Sequence, residues 1–240
     1  MNKIILATIG FFVLNNISAQ QIKGTKVFYQ KCTGFAISKP LSDLPAVSSD
    51  DDKDISEKKE VEKRRTIPPS VNNKKAQPAL DPIMQNVMGT KLMAGPIANW
   101  QAQSGNAFPP DPSGAAGTNH YYQAVNCKHM IYNKIGGTIA GPFNLNSLWA
   151  GSTNDGDPVV LYDKYADRWF MTQFNGADEI LVAVSTTSNP AGAYYTYTFV
   201  PAAGTFPDYP KYSVWADGYY CTANLGTPEN VAVFERAKMI

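Results

Sequence analysis

Two apolar runs of strand length face each other across a polar turn in Asp157 to Phe174, DPVVLYDKYADRWFMTQF. Val159 to Tyr162 is β-branched and aromatic, Asp163 to Asp167 supplies turn residues, and Arg168 to Phe174 is the second run, so the stretch reads as a β-hairpin. The chain then repeats the pattern: Ile180 to Ser185 (ILVAVS), a turn at Ser188 to Gly192 (SNPAG), and Tyr194 to Val200 (YYTYTFV), with Tyr195 and Tyr197 on one face. Four antiparallel strands joined by short turns are the unit of a β-propeller blade.

A propeller requires that unit to recur. Asp111-Pro112 lies ten residues before Tyr121, Asp157-Pro158 twelve before Trp169, and Asp208-Tyr209-Pro210 eleven before Tyr219. The aromatic opening the second strand therefore recurs at 121, 169 and 219, in steps of 48 and 50 residues, within the range of blade repeats. In the first unit FPPDPSGAAGTNH forms a long loop, in which Gly114 and Gly117 permit tight turns; YYQAV, Lys128 to Asn133 and Thr138 to Leu145 follow as strands. The expected fold is all-β with about three propeller-type blades, and a β-sandwich is the competing all-β arrangement.

Ahead of the repeats, Met1 to Ala19 carries Lys3, an apolar run from Ile4 to Leu14 and Ile17-Ser18-Ala19, the pattern of a secretory signal peptide. That run is too short to span a bilayer, so no membrane span is expected in the mature chain. Residues 20–80 read as a charged linker, since SSDDDKDISEKKEVEKRR and the prolines after it hold too little apolar area to offset chain entropy. Residues 81–240 are left as the folded domain. Lys and Arg number 13 against 8 Asp and Glu in residues 1–80 but 8 against 12 in residues 81–240, an acidic balance that argues against nucleic acid as partner. Of the three cysteines, Cys127 and Cys221 are the pair that neighbouring blades could bridge, with buried free thiols the default; no C-x-x-C spacing suggests zinc.

The strings PPDPSGAAGTNHYYQAVN, GDPVVLYDKYADRW, VAVSTTSNPAGAYYTYTF and FPDYPKYSVWADGYY resemble those of a family of large secreted bacterial proteins with a propeller-like repeat domain. The resemblance covers residues 97–240. It implies the fold and export but no particular chemistry, and it implies further blades followed by adhesion or sorting modules. Three blades leave open edges, and Val231 to Phe234 reads as a strand running into another turn, so the rest of a longer polypeptide beyond Ile240 is an expected partner.

Site residues follow from this frame. Phe206 to Trp215 (FPDYPKYSVW) is expected to be an exposed patch, because two prolines keep it from being a regular central strand. Its Asp208, Tyr209, Tyr212 and Trp215 are the candidate ligand contacts, for an extracellular glycan or protein. Asp155 and Asp157 in NDGD are candidate ligands of a hard cation such as calcium, although the spacing and closing Glu of an EF-hand are missing. No cofactor is otherwise implied. Beyond residue 80 only Arg168 and Arg236 are arginines, too few for the carboxylate-binding cluster of a sialidase, and His120 and His129 have no nucleophile pattern around them. The expected function is non-catalytic extracellular binding or adhesion. The alternative is a polysaccharide-acting glycoside hydrolase whose aspartates lead into the blades, favoured if Asp111, Asp157 and Asp208 cluster and titrate high.

Overall fold

The runs of β-branched and aromatic residues become strands, and turn residues end them. The computed structural model describes residues 29–48, 95–105, 107, 109–176, 178–201, 206–224 and 231–240. The signal-peptide segment and residues 49–94 lie outside these. The chain divides into two units, 1–31 and 32–240, and every element below belongs to the second. Its strands are β1 (Gly34–Ile37), β2 (Ser113–Ala116), β3 (His120–Val125), β4 (Lys128–Asn133), β5 (Thr138–Asn144), β6 (Val159–Asp163), β7 (Arg168–Asn175), β8 (Glu179–Ser185), β9 (Tyr194–Phe199), β10 (Asp208–Val214), β11 (Gly218–Asn224) and β12 (Val231–Glu235).

The strands make three antiparallel sheets. The first is β2-β3-β4-β5, the second β1-β9-β8-β7-β6, and the third β10-β11-β12. The fold is thus all-β, and no helix among the described residues is long and apolar enough to cross a membrane. Alternation explains why ILVAV is apolar without a break. Trp169, Met171, Leu181 and Ala183 face a cluster shared with Tyr122, Ile131 and Phe143 of the first sheet. Phe170, Phe174, Ile180, Val182 and Val184 face a cluster shared with Tyr219, Cys221 and Phe234 of the third. The second sheet is therefore buried on both faces, a setting in which strands lose their polar positions. Each large side chain so buried stabilises the fold by roughly 2 to 3 kcal/mol.

Two expectations are corrected. Residues 34–48, read as part of the linker, are built into the fold: β1 pairs with β9, a short 3-10 helix (Leu41–Asp43) follows, and Leu41 is fully buried in the first cluster. Gly114 does not serve a turn, whereas Gly117 does: it opens the turn between β2 and β3, its amide donating to the His120 carbonyl at 3.0 Å. Gly114 lies in β2, where a Cβ would stand 2.6 Å from the Tyr121 hydroxyl, and a Cβ on Gly117 would stand 2.6 Å from the Trp169 ring. Gly114 thus allows close approach within its own sheet, and Gly117 allows it between the first sheet and the second. The expectation that Phe206 to Trp215 forms no regular central strand holds: Asp208–Val214 is the edge strand β10 of its sheet, and its pairing with β11 shifts register between Asp208 and Lys211. That irregularity removes the need for a donor at the proline.

Cys127 and Cys221 are both buried. They line different clusters, one on each face of the second sheet, so no bridge joins them.

Candidate functional site

The first strand of each sheet carries the site. Strand β6 lies against both β2 and β10. All three run the same way. The Val160 amide donates to Ser113 Oγ near the beginnings of β2 and β6, and the Thr118 and Tyr162 hydroxyls meet at 3.3 Å near their ends. Asp208 neighbours Asp157 at the start of β10, and Trp215 meets Tyr165 after its end. The leading ends of β2, β6 and β10 hence meet, and so do the trailing ends of β6 and β10.

At the leading end, the residue before the proline is left-handed in every repeat. Asp111 before Pro112 has φ 33°, Asp157 before Pro158 has φ 52°, and Tyr209 before Pro210 has φ 53°. Left-handed backbone is strained for residues other than glycine, and proline also biases its predecessor toward extended conformations. Each position costs on the order of 1 to 3 kcal/mol, held only because the surroundings over-determine it. The structural equivalent of Asp111 and Asp157 is therefore Tyr209. The Asp-then-Pro spacing had matched them with Asp208, one residue earlier.

Asn126 locks two of these positions together. Its Nδ2 donates to Asp111 Oδ2 at 2.8 Å and to the Pro109 carbonyl at 3.1 Å, while its Oδ1 accepts the Asp157 amide at 2.8 Å. Gly156, with φ 92°, leaves room for that side chain: a Cβ there would lie 2.8 Å from Asn126 Oδ1. Burial pushes the Asp157 carboxyl up to about 6. The neighbouring Asp111 and Asp208 carboxylates and a hydrogen bond with Asp111 act the same way, and Asn126 opposes them. Three acidic side chains from three repeats are thus neighbours, and one of them is half protonated near pH 6.

Exposed groups frame this cluster. Tyr209 is 65% exposed, with Lys211 Nζ 3.5 Å from its ring centre, and Asp208 is exposed beside it. Phe206 packs against Phe174, the ring centres 4.5 Å apart and the planes tilted by 53°.

The residues singled out in the sequence do not form one patch. Asp208 and Tyr209 stand at the leading end of β10, and Trp215 follows its trailing end. Tyr212 lies between them and packs inward, its ring 5.5 Å from Phe170 and 6.5 Å from Phe234. The two aspartates weighed for calcium also part. Asp155 Oδ2 accepts from Thr153 Oγ1 and the Gly176 amide, whereas Asp157 turns to Asn126 and Asp111. No group of three or more His, Cys, Asp or Glu side chains arranged to hold a metal occurs among the described residues.

The histidine chemistry is structural. His129 is fully buried, its Nδ1 2.8 Å from the Tyr122 hydroxyl and its Nε2 2.9 Å from Ser147 Oγ. Burial pushes its pKa down to about 3, so it stays neutral at physiological pH. Sequence reasoning missed Asn126, whose position as the first residue of the β3–β4 turn carries no signal of its reach. It also missed Tyr165, which meets Trp215 at the trailing end.

Fold and site together define an all-β protein of packed antiparallel sheets with an acidic, strained leading end. No family model matches the chain, and no curated protein matches it.

Proposed function

We propose that the chain is a propeller-type binding module of an exported protein and that it engages an extracellular glycan or protein at the leading end of its first strands. The observation that carries this reading is the left-handed residue before proline in all three repeats. Strain repeated at one end of a scaffold, and held there by Asn126, is what a preorganised contact surface requires. Tyr209 offers an exposed ring for stacking, and Asp208 offers acceptors for hydroxyl or amine groups.

The blade reading rests on register. Tyr121, Trp169 and Tyr219 are each the second residue of the second strand of their sheet, and each faces backward along the stack: Tyr121 toward Trp100, Trp169 toward Tyr122, Tyr219 toward Phe170. The next residues, Tyr122 and Phe170, face forward into the following sheet. Tyr220 holds that position in the third sheet, where Val231 and Val233 are 65% and 53% exposed. A further sheet of the same kind fits that face. The resemblance to secreted propeller-like proteins supports export.

A second reading has its own support. Asp157, half protonated near pH 6, suits a general acid of a glycoside hydrolase. Its hydrogen bond with Asp111 places those two closer than the roughly 5 Å of a retaining pair, which leaves Asp208 as the partner carboxylate.

One experiment separates the readings. Wild type, Tyr209→Ala and Asp157→Asn are applied to an array of extracellular polysaccharides, with bound protein and released reducing ends both measured. The binding module predicts retention without release, weakened about tenfold in Tyr209→Ala. Release that is lost in Asp157→Asn establishes the hydrolase instead. Retention that Tyr209→Ala leaves unchanged removes the leading end from the function.

A further inference from the structure

The trailing end carries a second feature that the leading-end reading does not use. Trp215 is 63% exposed and Tyr165 43% exposed, and their rings meet at 6.3 Å with an interplanar angle of 67°. They form an open aromatic corner, one wall from the turn after β6 and the other from the turn after β10.

The corner is held rigidly from beneath. Asp163 is fully buried, and its Oδ1 accepts the Tyr165 and Ala166 amides at 2.9 and 3.1 Å. Its Oδ2 accepts the Tyr219 hydroxyl at 2.9 Å and Arg236 Nε at 2.5 Å. Arg236 Nη1 in turn donates to the Ala216 carbonyl at 2.7 Å, and the Trp215 amide donates to the Gly218 carbonyl at 3.0 Å. The residues flanking both aromatics are thus tied to one buried carboxylate, which fixes the angle between the walls without covering them. An exposed pair with that much support beneath it is preorganised for a ligand.

The charges around it indicate what kind. Lys164 Nζ lies 5.2 Å and the Arg236 guanidinium 5.8 Å from the Tyr165 ring centre, so cations occupy the tyrosine and leave Trp215 as the stacking surface. At the surface Lys164 and the half-buried Arg168 stand against the exposed Asp167 and Asp217, while Arg236 and the buried Asp163 neutralise each other beneath. A polymer of one charge sign meets repulsion as well as attraction there. A neutral polyhydroxylated ligand finds an apolar face for its C–H groups and both donors and acceptors for its hydroxyls.

We infer that the Trp215–Tyr165 corner binds a neutral saccharide, stacked on Trp215 and hydrogen-bonded by Lys164 and Asp217. This site stands apart from the leading end and does not depend on Tyr209 or the Asp111–Asp157 pair.

The test follows the indole N–H signals of the tryptophans by NMR while neutral gluco-, manno-, galacto- and xylo-oligosaccharides are titrated to millimolar concentration, with an oligogalacturonate as the charged comparator. The signal that disappears in Trp215→Phe identifies Trp215. The expected result is a saturable shift of that signal with at least one neutral sugar, an affinity lowered about tenfold in Trp215→Ala and unchanged in Tyr209→Ala. An unmoved Trp215 signal with every neutral sugar, equal affinity in Trp215→Ala, or oligogalacturonate binding as tightly as the neutral sugars overturns the inference. Loss in Tyr209→Ala alone assigns the sugar to the leading end and also overturns it.

Discussion

At the scale of single residues, Asp157 shows what the leading end costs the fold. A carboxyl raised to about 6 in the native state, against 3.8 unfolded, holds its proton more tightly when folded. Its contribution to stability is therefore fully present below pH 3.8 and is lost as pH rises through 6, because the native state must then keep a charge beside Asp111 and Asp208. Asp157→Asn removes that charge while keeping a residue tolerant of the left-handed backbone. The variant is expected to be more stable than wild type at pH 7, on the order of 1 kcal/mol after allowing for solvent screening of a half-exposed group. Its advantage vanishes at pH 3.5. Thermal unfolding at the two pH values checks this, and an advantage that is the same at both would show that the charge is not the cause. Asp111, Asp157 and the proline rhythm were legible in the sequence. The backbone angle was not, because nothing in Asp-Pro distinguishes an extended residue from a left-handed one, and so Asp208 stood in for Tyr209.

Among elements, the strands after residue 157 follow their apolar runs closely, since turns of Asp, Asn, Pro and Gly punctuate them. Strand β1 escaped because GFAI is short and sits in a segment whose overall composition is that of a linker. Its reality depends on a partner far along the chain: Phe35 pairs with Tyr197 in register, their rings 5.2 Å apart. The segment after it is fastened by the Leu41 amide donating to the Gly192 carbonyl, the Ser42 amide to Ala191, and the Val47 amide to Pro142. These contacts carry the strap from the second sheet to the edge of the first. Leu41, fully buried, is its anchor. Leu41→Ala is expected to cost about 3 kcal/mol, the loss of a buried leucine in a site that cannot collapse around the gap. Equilibrium urea unfolding measures it. A cost under about 1 kcal/mol, the range of surface substitutions, would mean that the strap is not part of the cooperative core.

For the whole molecule, the question is what keeps three sheets in register when no α-helix occurs among the described residues to cover them. Apolar contact between faces is non-directional, so it sets the distance between layers but not how one slides on the next. Between the first two sheets direction comes from the Val160–Ser113 and Thr118–Tyr162 contacts, and between the second and third it comes from Asp163. It belongs to the second sheet, yet it accepts from Tyr219 of β11 and from Arg236 beyond β12, both of the third. The sequence shows Asp163 only as a turn residue, and that role is real, through the Tyr165 and Ala166 amides. Its second role was invisible because Arg236 is 73 residues away. A buried carboxylate stripped of its cation is far more costly than one replaced together with it. Arg236→Met is thus expected to destabilise by roughly 3 to 5 kcal/mol. Asp163→Asn in the Arg236→Met background should recover part of that loss, giving a coupling between the two positions of roughly 1 to 3 kcal/mol. Urea unfolding of the two single variants and the double variant closes the cycle. Additive effects would mean that packing alone aligns the third sheet on the second, and that the turn contacts account for everything Asp163 does.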